Sequence, residues 1–297
     1  MTKSPDILCI GSVLWDVIGR TSARMRQGND VPGHITRIPG GVALNIAMTL
    51  RRFGLSPGLL SAVGTDPAGD ELVDACDDMG LQTAFLLRDA RLPTDTYIAI
   101  EDEAGLVAAM CDAHSLEAAG DRILAPLFDG RLGSYDAPHT GAIGLDGNLT
   151  ETLLADIARN PAFAKADLRV APASPGKATR LVPLLAHPGV TLYVNREEAG
   201  LILGRDFDDA ASAAEALVGA GAARALVTDG AGIAACADKR GAITARPPEV
   251  AQKRVTGAGD TFMAAHIAAD LSGAAVQDAL TRALAAAARY VSGEDAT

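Results

Sequence analysis

The sequence predicts an α/β fold: a mainly parallel sheet with helices on both faces, and a small second layer of strands beside it. Three observations lead there. Short, continuous apolar runs recur along the chain without the polar alternation of a half-exposed strand, which fits a sheet covered on both faces. Amphipathic stretches with helix-type punctuation separate these runs and give the strand-helix alternation of a parallel α/β sheet. Two segments, about 12–40 and 94–115, break the rhythm with polar residues and turns and read as a second, smaller layer.

Taken in order, residues 7–10 (Ile-Leu-Cys-Ile) ending at Gly11 form the first buried strand. From Trp15 to Pro39, Gly28, Pro32 and Gly33 break any helical period, so this stretch leaves the main sheet with short exposed strands. Gly40-Gly41 then opens a helix whose Ile46, Leu50 and Phe53 share one face and which Gly54 ends. Residues 59–63 fit a second strand. Asp66 caps the next helix, with Pro67 at its first position, Leu72, Cys76 and Met79 on its apolar face and Gly80 as its stop. Residues 94–101 and 106–110, joined through Asp102-Glu103-Ala104-Gly105, predict a hairpin. Further strands are expected at 142–145, 168–171, 191–194, 225–228 and 232–237. Helices are expected at 151–159, 177–186, 196–203, 210–219, 260–271 and 276–291.

Composition narrows the classes of function. With 297 residues, 48% of them apolar, the chain can bury a large core and suggests one sizeable domain or two smaller ones; with no repeat, low-complexity linker or break along it, the expectation is one domain over 1–297. A net charge of −11 repels phosphate backbones and anionic lipid, which argues against nucleic-acid and membrane partners. Cys9, Cys76, Cys111 and Cys236 are scattered in apolar contexts and are expected to be buried free thiols in a reducing cytoplasm. The first apolar run is too short for a signal peptide, and no run nears the roughly 18 residues of a membrane span.

Familiar nucleotide and metal signatures are absent. Gly176-Lys177 resembles the end of a P-loop, but Ala171 stands where its first glycine belongs and Ala178 replaces the magnesium-holding hydroxyl. Gly219-x-Gly221 lacks its third glycine, because Arg224 occupies that place. Histidines 34, 114, 139, 187 and 266 show no zinc spacing.

The richest stretch is Val255-Thr256-Gly257-Ala258-Gly259-Asp260-Thr261-Phe262. Its glycines allow a tight turn into a buried helix, and a helix N-terminus favours negative charge. Asp260 in the first turn is then either a stabiliser of the helix dipole or a base aimed at whatever the amides hold.

Four elements in order, Gly11 to Asp16, Gly40-Gly41-x-x-x-Asn45, Asn195-Arg196-Glu197-Glu198 and Gly257-Ala258-Gly259-Asp260, resemble the ribokinase-like (PfkB) carbohydrate kinases along nearly the whole chain. The resemblance implies a doubly wound α/β domain with a small β lid over the sugar site, formed from about residues 12–40 and 94–115, and transfer of the γ-phosphoryl group of ATP, with Mg2+, to a hydroxyl of a small sugar or nucleoside. By motif, Asp260 resembles the catalytic base, and the amides of Gly257, Ala258 and Gly259 resemble the anion hole. Asp16, Gly40, Gly41 and Asn45 resemble the sugar site. Asn195, Thr228 and Gly230, with Gly257 and Gly259, resemble the nucleotide contacts, and Glu198 resembles the carboxylate that organises magnesium through water. The resemblance also implies a monovalent cation such as K+ as activator and a homodimer paired through the lid. Within the family, Val255-Thr256-Gly257, Ser174 and Lys177 in the 170–181 stretch, Thr94-Asp95-Thr96-Tyr97 and Leu145-Asp146-Gly147-Asn148-Leu149 are similar to the pseudouridine kinases. Ala171 and Arg254 depart from the patterns, each standing where an Asp is common.

Overall fold

The computed structural model describes residues 4–254 and 256–294; Val255, part of the glycine-rich stretch, lies outside the described residues. The chain enters through β1 (Ile7–Ile10), then leaves the main sheet for β2 (Leu14–Arg20) and β3 (His34–Gly40) before α1 (Val42–Arg52). It returns in β4 (Pro57–Leu60), bends into β5 (Ala62–Val63) and continues through α2 (Pro67–Asp78), β6 (Leu87–Arg88), β7 (Thr96–Asp102), β8 (Gly105–Asp112) and α3 (His114–Ala119). The second half alternates regularly. It runs through β9 (Ala142–Asp146), α4 (Glu151–Arg159), β10 (Asp167–Ala171), a 3₁₀ segment (Pro175–Ala186), β11 (Val190–Asn195), α5 (Arg196–Leu203) and α6 (Ala210–Gly219). After β12 (Arg224–Thr228), β13 (Ala234–Asp238) and β14 (Gly241–Ala245) come α7 (Ala258–Leu271) and α8 (Val276–Val291).

The main sheet has the order β14-β13-β12-β11-β10-β9-β1-β4. Strands β4, β1, β9, β10, β11 and β12 are parallel, and β13 and β14 close one edge antiparallel. From β1 the chain first builds outward to β4, then jumps to the other side with β9. That reversal opens a crevice at the carboxyl ends of β1 and β9, where ligands bind in open α/β sheets. One face of the sheet packs with α1, α2, α7 and α8, the other with α4, α5, α6 and the 3₁₀ segment. Helix α7 is apolar all round, with residues from Thr261 to Ile267 buried, because it lies between the sheet, α1 and α8. The second sheet, β3-β2-β7-β8, forms the lid at the crevice.

Several expectations need correcting. The run 59–63 is two strands: β4 belongs to the main sheet, whereas Ala62–Val63 turns away and pairs with β6. Residues 177–186 are helical but wind as 3₁₀ from Pro175, because Pro175 and Pro183 withhold the N–H groups that an α-helical ladder needs. Phe53 caps α1 and is exposed instead of sharing its buried face. Cys111 is exposed on β8, while Cys9, Cys76 and Cys236 are buried free thiols. The strand expected at 232–237 is β13, and it pairs in a hairpin with β14, for which no strand is expected from the sequence. No described helix is long and apolar enough to cross a membrane.

Candidate active site

The site begins where β1 ends. Ser12 donates its backbone N–H to Asp146 Oδ2 at 2.8 Å and its hydroxyl to the same oxygen. Asp146, fully buried at the end of β9, also accepts the Ala43 amide at 3.3 Å and the Asn148 amide at 2.7 Å. The Ser12 hydroxyl accepts the Val42 amide at 2.8 Å. These bonds satisfy first-turn amides of α1 and tie that helix to the ends of β1 and β9. Gly41 has φ 99°, and a Cβ there would stand 2.5 Å from the Ser12 carbonyl. A Cβ on Gly40 would overlap the Asp16 carboxylate. The glycine pair therefore lets α1 start against the lid strand that carries Asp16.

Two carboxylates result from this arrangement. Asp16, on β2, receives no hydrogen bond from the described residues, and burial pushes its pKa up to about 6. Asp260, in the first turn of α7, accepts a hydrogen bond from Asn45 Nδ2 at 3.0 Å. It keeps some exposure to the crevice, yet enough protein surrounds it that burial raises its pKa to about 7. The Asn45 bond opposes that shift, and the charges of Asp146, Asp16 and Glu198 add to it. Gly257, at φ 89°, turns the chain into α7, and no side chain among the described residues caps this helix, so its first-turn amides are left open. The structure thus brings together Asp16, Gly40, Gly41, Asn45, Gly257, Ala258, Gly259 and Asp260.

Asn195, Thr228 and Gly230 line a neighbouring cleft of about 450 Å³ together with Arg196, Phe207 and Asp229, whereas the predicted Glu198 is not in its wall. Asn195 and Glu198 make a reciprocal capping box at the start of α5. Asn195 Oδ1 accepts the Glu198 amide, and Glu198 Oε2 accepts the Asn195 amide, both at 2.8 Å. Burial raises the Glu198 pKa, and the Asn195 amide pulls the other way. Gly257 and Gly259 are not in the wall of this cleft. Sequence reasoning missed Arg196, which bridges Asp229 at 3.0 Å and the Phe207 carbonyl at 2.6 Å and so holds the cleft's two loops together. Ser12 and Asp146 fall inside the family-like stretches 11–16 and 145–149 but carry no role of their own there; a Ser and an Asp each ending an apolar strand run are the available signal.

A third polar group anchors the far end of α7. Asp270 accepts from Arg169 at 2.7 Å and from Arg224 at 3.2 Å, and Tyr193 links Arg169 to His266.

The pfkB carbohydrate kinase family model matches residues 4–297. The chain belongs to that family. This kinase is 29% identical to an uncharacterised sugar kinase of Escherichia coli, YeiI, over 97% of its own length and 78% of the relative's. It is 30% identical to the pseudouridine kinase of the same organism over 69% of this chain and 63% of the other. Among solved structures, a carbohydrate kinase from Agrobacterium tumefaciens superposes with a TM-score of 0.78 at 26% identity, covering 98% of this chain and 92% of that one. The Arabidopsis thaliana ribokinase, complexed with ribose and ATP, shares the fold with a TM-score of 0.76 at 19% identity, over 97% and 93% of the two chains. The protein is thus an ATP-dependent phosphotransferase of the sugar and nucleoside kinase class. Kinases of this fold work with ATP and Mg2+.

Proposed function

We propose that this kinase transfers the γ-phosphoryl group of ATP to the ribose 5′-hydroxyl of pseudouridine, with Asp260 as general base. The observation that carries the chemistry is a carboxylate with a pKa near 7, oriented by Asn45 and set at the uncapped N-terminus of α7. A base poised near working pH takes the hydroxyl proton as the oxygen attacks phosphorus and ADP leaves. The amides of Gly257, Ala258 and Gly259 receive the charge that builds on the transferring phosphoryl oxygens. Asp16 has no hydrogen-bond donor among the described residues and so offers its oxygens to sugar hydroxyls, with Gly40, Gly41 and Asn45 completing that wall. Asn195, Thr228 and Gly230 hold the nucleotide, joined at its phosphate end by Gly257 and Gly259.

Magnesium fits the donor set without a protein cage. Among the described residues no group of three or more His, Cys, Asp and Glu converges on one point. Glu198 offers one carboxylate whose Oε1 accepts no hydrogen bond from the described residues, which suits an ion that rides on phosphates and keeps its waters. When bound, the ion neutralises charge on the phosphates.

The nucleoside reading draws on the pseudouridine kinase relative and on a cation at the rim. Lys177 Nζ donates to Asn148 Oδ1 at 2.6 Å, and its charge is felt at Cys111 on the lid, as is that of Asp16. Its position suits the carbonyl oxygens of a base carried over the sugar. We read residues 1–297 as a single kinase domain with its lid, working in the cytoplasm. The two-sided exposure of β8, with Leu106 at 62% and Met110 at 71%, supports pairing of two lids into a homodimer.

The test is ADP release from MgATP with pseudouridine, uridine, adenosine, ribose and fructose 6-phosphate offered separately. The assay is run in K+ and in tetramethylammonium, with Asp260→Asn as control. Turnover on pseudouridine that depends on Asp260 and rises in K+ is expected. Turnover on a free sugar alone would discard the nucleoside and keep the mechanism.

A further inference from the structure

The loop that enters α7 is held from behind by the last turn of α8, a contact that none of the roles above uses. Tyr290 Oη donates to the Thr256 carbonyl at 2.8 Å. The Arg254 guanidinium lies 3.9 Å from the centroid of the Tyr290 ring, and its Nε donates to the Tyr290 carbonyl at 2.6 Å. The amides of Lys253 and Arg254 bond the Val291 carbonyl at 2.9 and 3.2 Å. These partners satisfy carbonyls that a helix C-terminus otherwise leaves open, and Arg254 adds a cation at the negative end of the α8 dipole. Loop and ring also touch at the turn itself, since a Cβ on Gly257 would stand 2.5 Å from Tyr290 Oη.

The consequence follows from peptide planarity. In a trans peptide the carbonyl and the next residue's N–H point in opposite directions. Drawing the Thr256 carbonyl back onto Tyr290 therefore aims the Gly257 N–H away from α8. Gly257 has a left-handed φ and the freedom to let that peptide rotate, so its amide needs an external restraint. Burial keeps the Tyr290 hydroxyl protonated, with its pKa above the ordinary value although Arg254 works the other way, so it remains a donor through the working pH range.

We propose that Tyr290, held in place by Arg254, is a positioning residue for the anion hole, fixing the direction of the Gly257 amide through the Thr256 carbonyl. This rests on the reading of residues 257–259 as the phosphoryl-binding amides. Positioning of this kind acts on the transition state more than on bound ATP or acceptor.

The test is Tyr290→Phe, which keeps the ring and its stacking on Arg254 and removes only the hydroxyl. With pseudouridine as acceptor, kcat is expected to fall roughly 10- to 100-fold, with both KM values within about threefold, somewhat less than the loss of a direct donor. An acceptor-free measurement separates this inference from the identity of the substrate. The affinity of MgADP with aluminium fluoride, a mimic of the transferring phosphoryl group, should fall by a similar factor while that of MgADP alone is unchanged. A purely structural role would lower the melting temperature without that selective loss. Wild-type kcat and wild-type aluminium fluoride affinity in Tyr290→Phe would overturn the proposal. Undiminished turnover in Asp260→Asn, measured alongside, would instead overturn the reading of the site.

Discussion

Replacing Asp260 by Asn should abolish most activity and, above neutral pH, stabilise the fold. The carboxylate has a folded pKa of about 7 against an ordinary value of 3.8. The folded state therefore binds its proton more tightly than the unfolded state, and stability falls as pH rises from about 4 to 7. At pH 8 the full shift of about three units corresponds to about 4 kcal/mol of destabilisation. Asp260 keeps partial contact with the crevice, so solvent screening cuts this to about 1–2 kcal/mol. Asparagine is nearly isosteric, and its carbonyl oxygen still accepts from Asn45 Nδ2, so the neutral variant keeps the bond and removes the buried charge. For a chain of this length the gain is roughly 2–3 °C in melting temperature at pH 8 and less than half that at pH 5. Calorimetry at both pH values, beside the turnover assay, reads the two effects together. Turnover should fall roughly 10²- to 10⁴-fold. In the wild type, kcat/KM should rise with pH through about 7 as the base loses its proton. A variant that melts lower at pH 8 than the wild type would refute the desolvation argument. Near-wild-type turnover would refute the assignment of the base.

Three further outcomes are expected. Asp16→Ala should raise the acceptor KM by roughly 10- to 100-fold with a smaller effect on the MgATP KM, the worth of one or two hydrogen bonds to a charged group; an unchanged acceptor KM would remove Asp16 from the sugar site. Asp270→Ala leaves Arg169, whose side chain is 7% exposed, and Arg224 short of an anion, and should cost about 3–5 kcal/mol in urea unfolding; a loss below about 1 kcal/mol would show that Asp167 compensates. Met110→Lys on the exposed β8 should shift a lid-paired dimer to monomer in sedimentation velocity without changing the melting temperature, and an unchanged sedimentation profile would place any dimer elsewhere.

The legible parts of the fold are those whose burial is total. Strands β1 and β9 announce themselves as apolar runs because both faces are covered, β10, β11 and β12 remain legible although Arg169 and Thr191 interrupt two of them, and α4, α5, α6 and α8 start and stop at the expected residues because local caps or turn glycines mark them. The lid is harder to read. Strand β3 is exposed from His34 to Ile38, so no burial pattern marks it, and its pairing with β2 is set by residues across a loop. The 3₁₀ segment kept a helical apolar pattern while its prolines changed the winding, and pattern alone does not register hydrogen bonds withheld.

The candidate site divides along the same line. Asn195 and Glu198 lie three residues apart, and their helix-start signature is local; the structure adds that the cap uses one Glu198 oxygen and leaves the other unbonded by described residues, so capping does not compete with the proposed magnesium role. Contacts between distant segments carry no local signature. Ser12 meets Asp146 across 134 residues, and Asn45 meets Asp260 across 215. The second pair exists only because α1 and α7 pack side by side in one core, with Ala43, Leu44 and Ala47 of α1 and Phe262, Met263 and Ile267 of α7 all buried there. The geometry of the proposed base therefore depends on apolar residues that carry no chemistry. A change of volume in that seam moves Asn45 relative to Asp260 before it unfolds the chain, because close-packed interiors transmit strain instead of absorbing it.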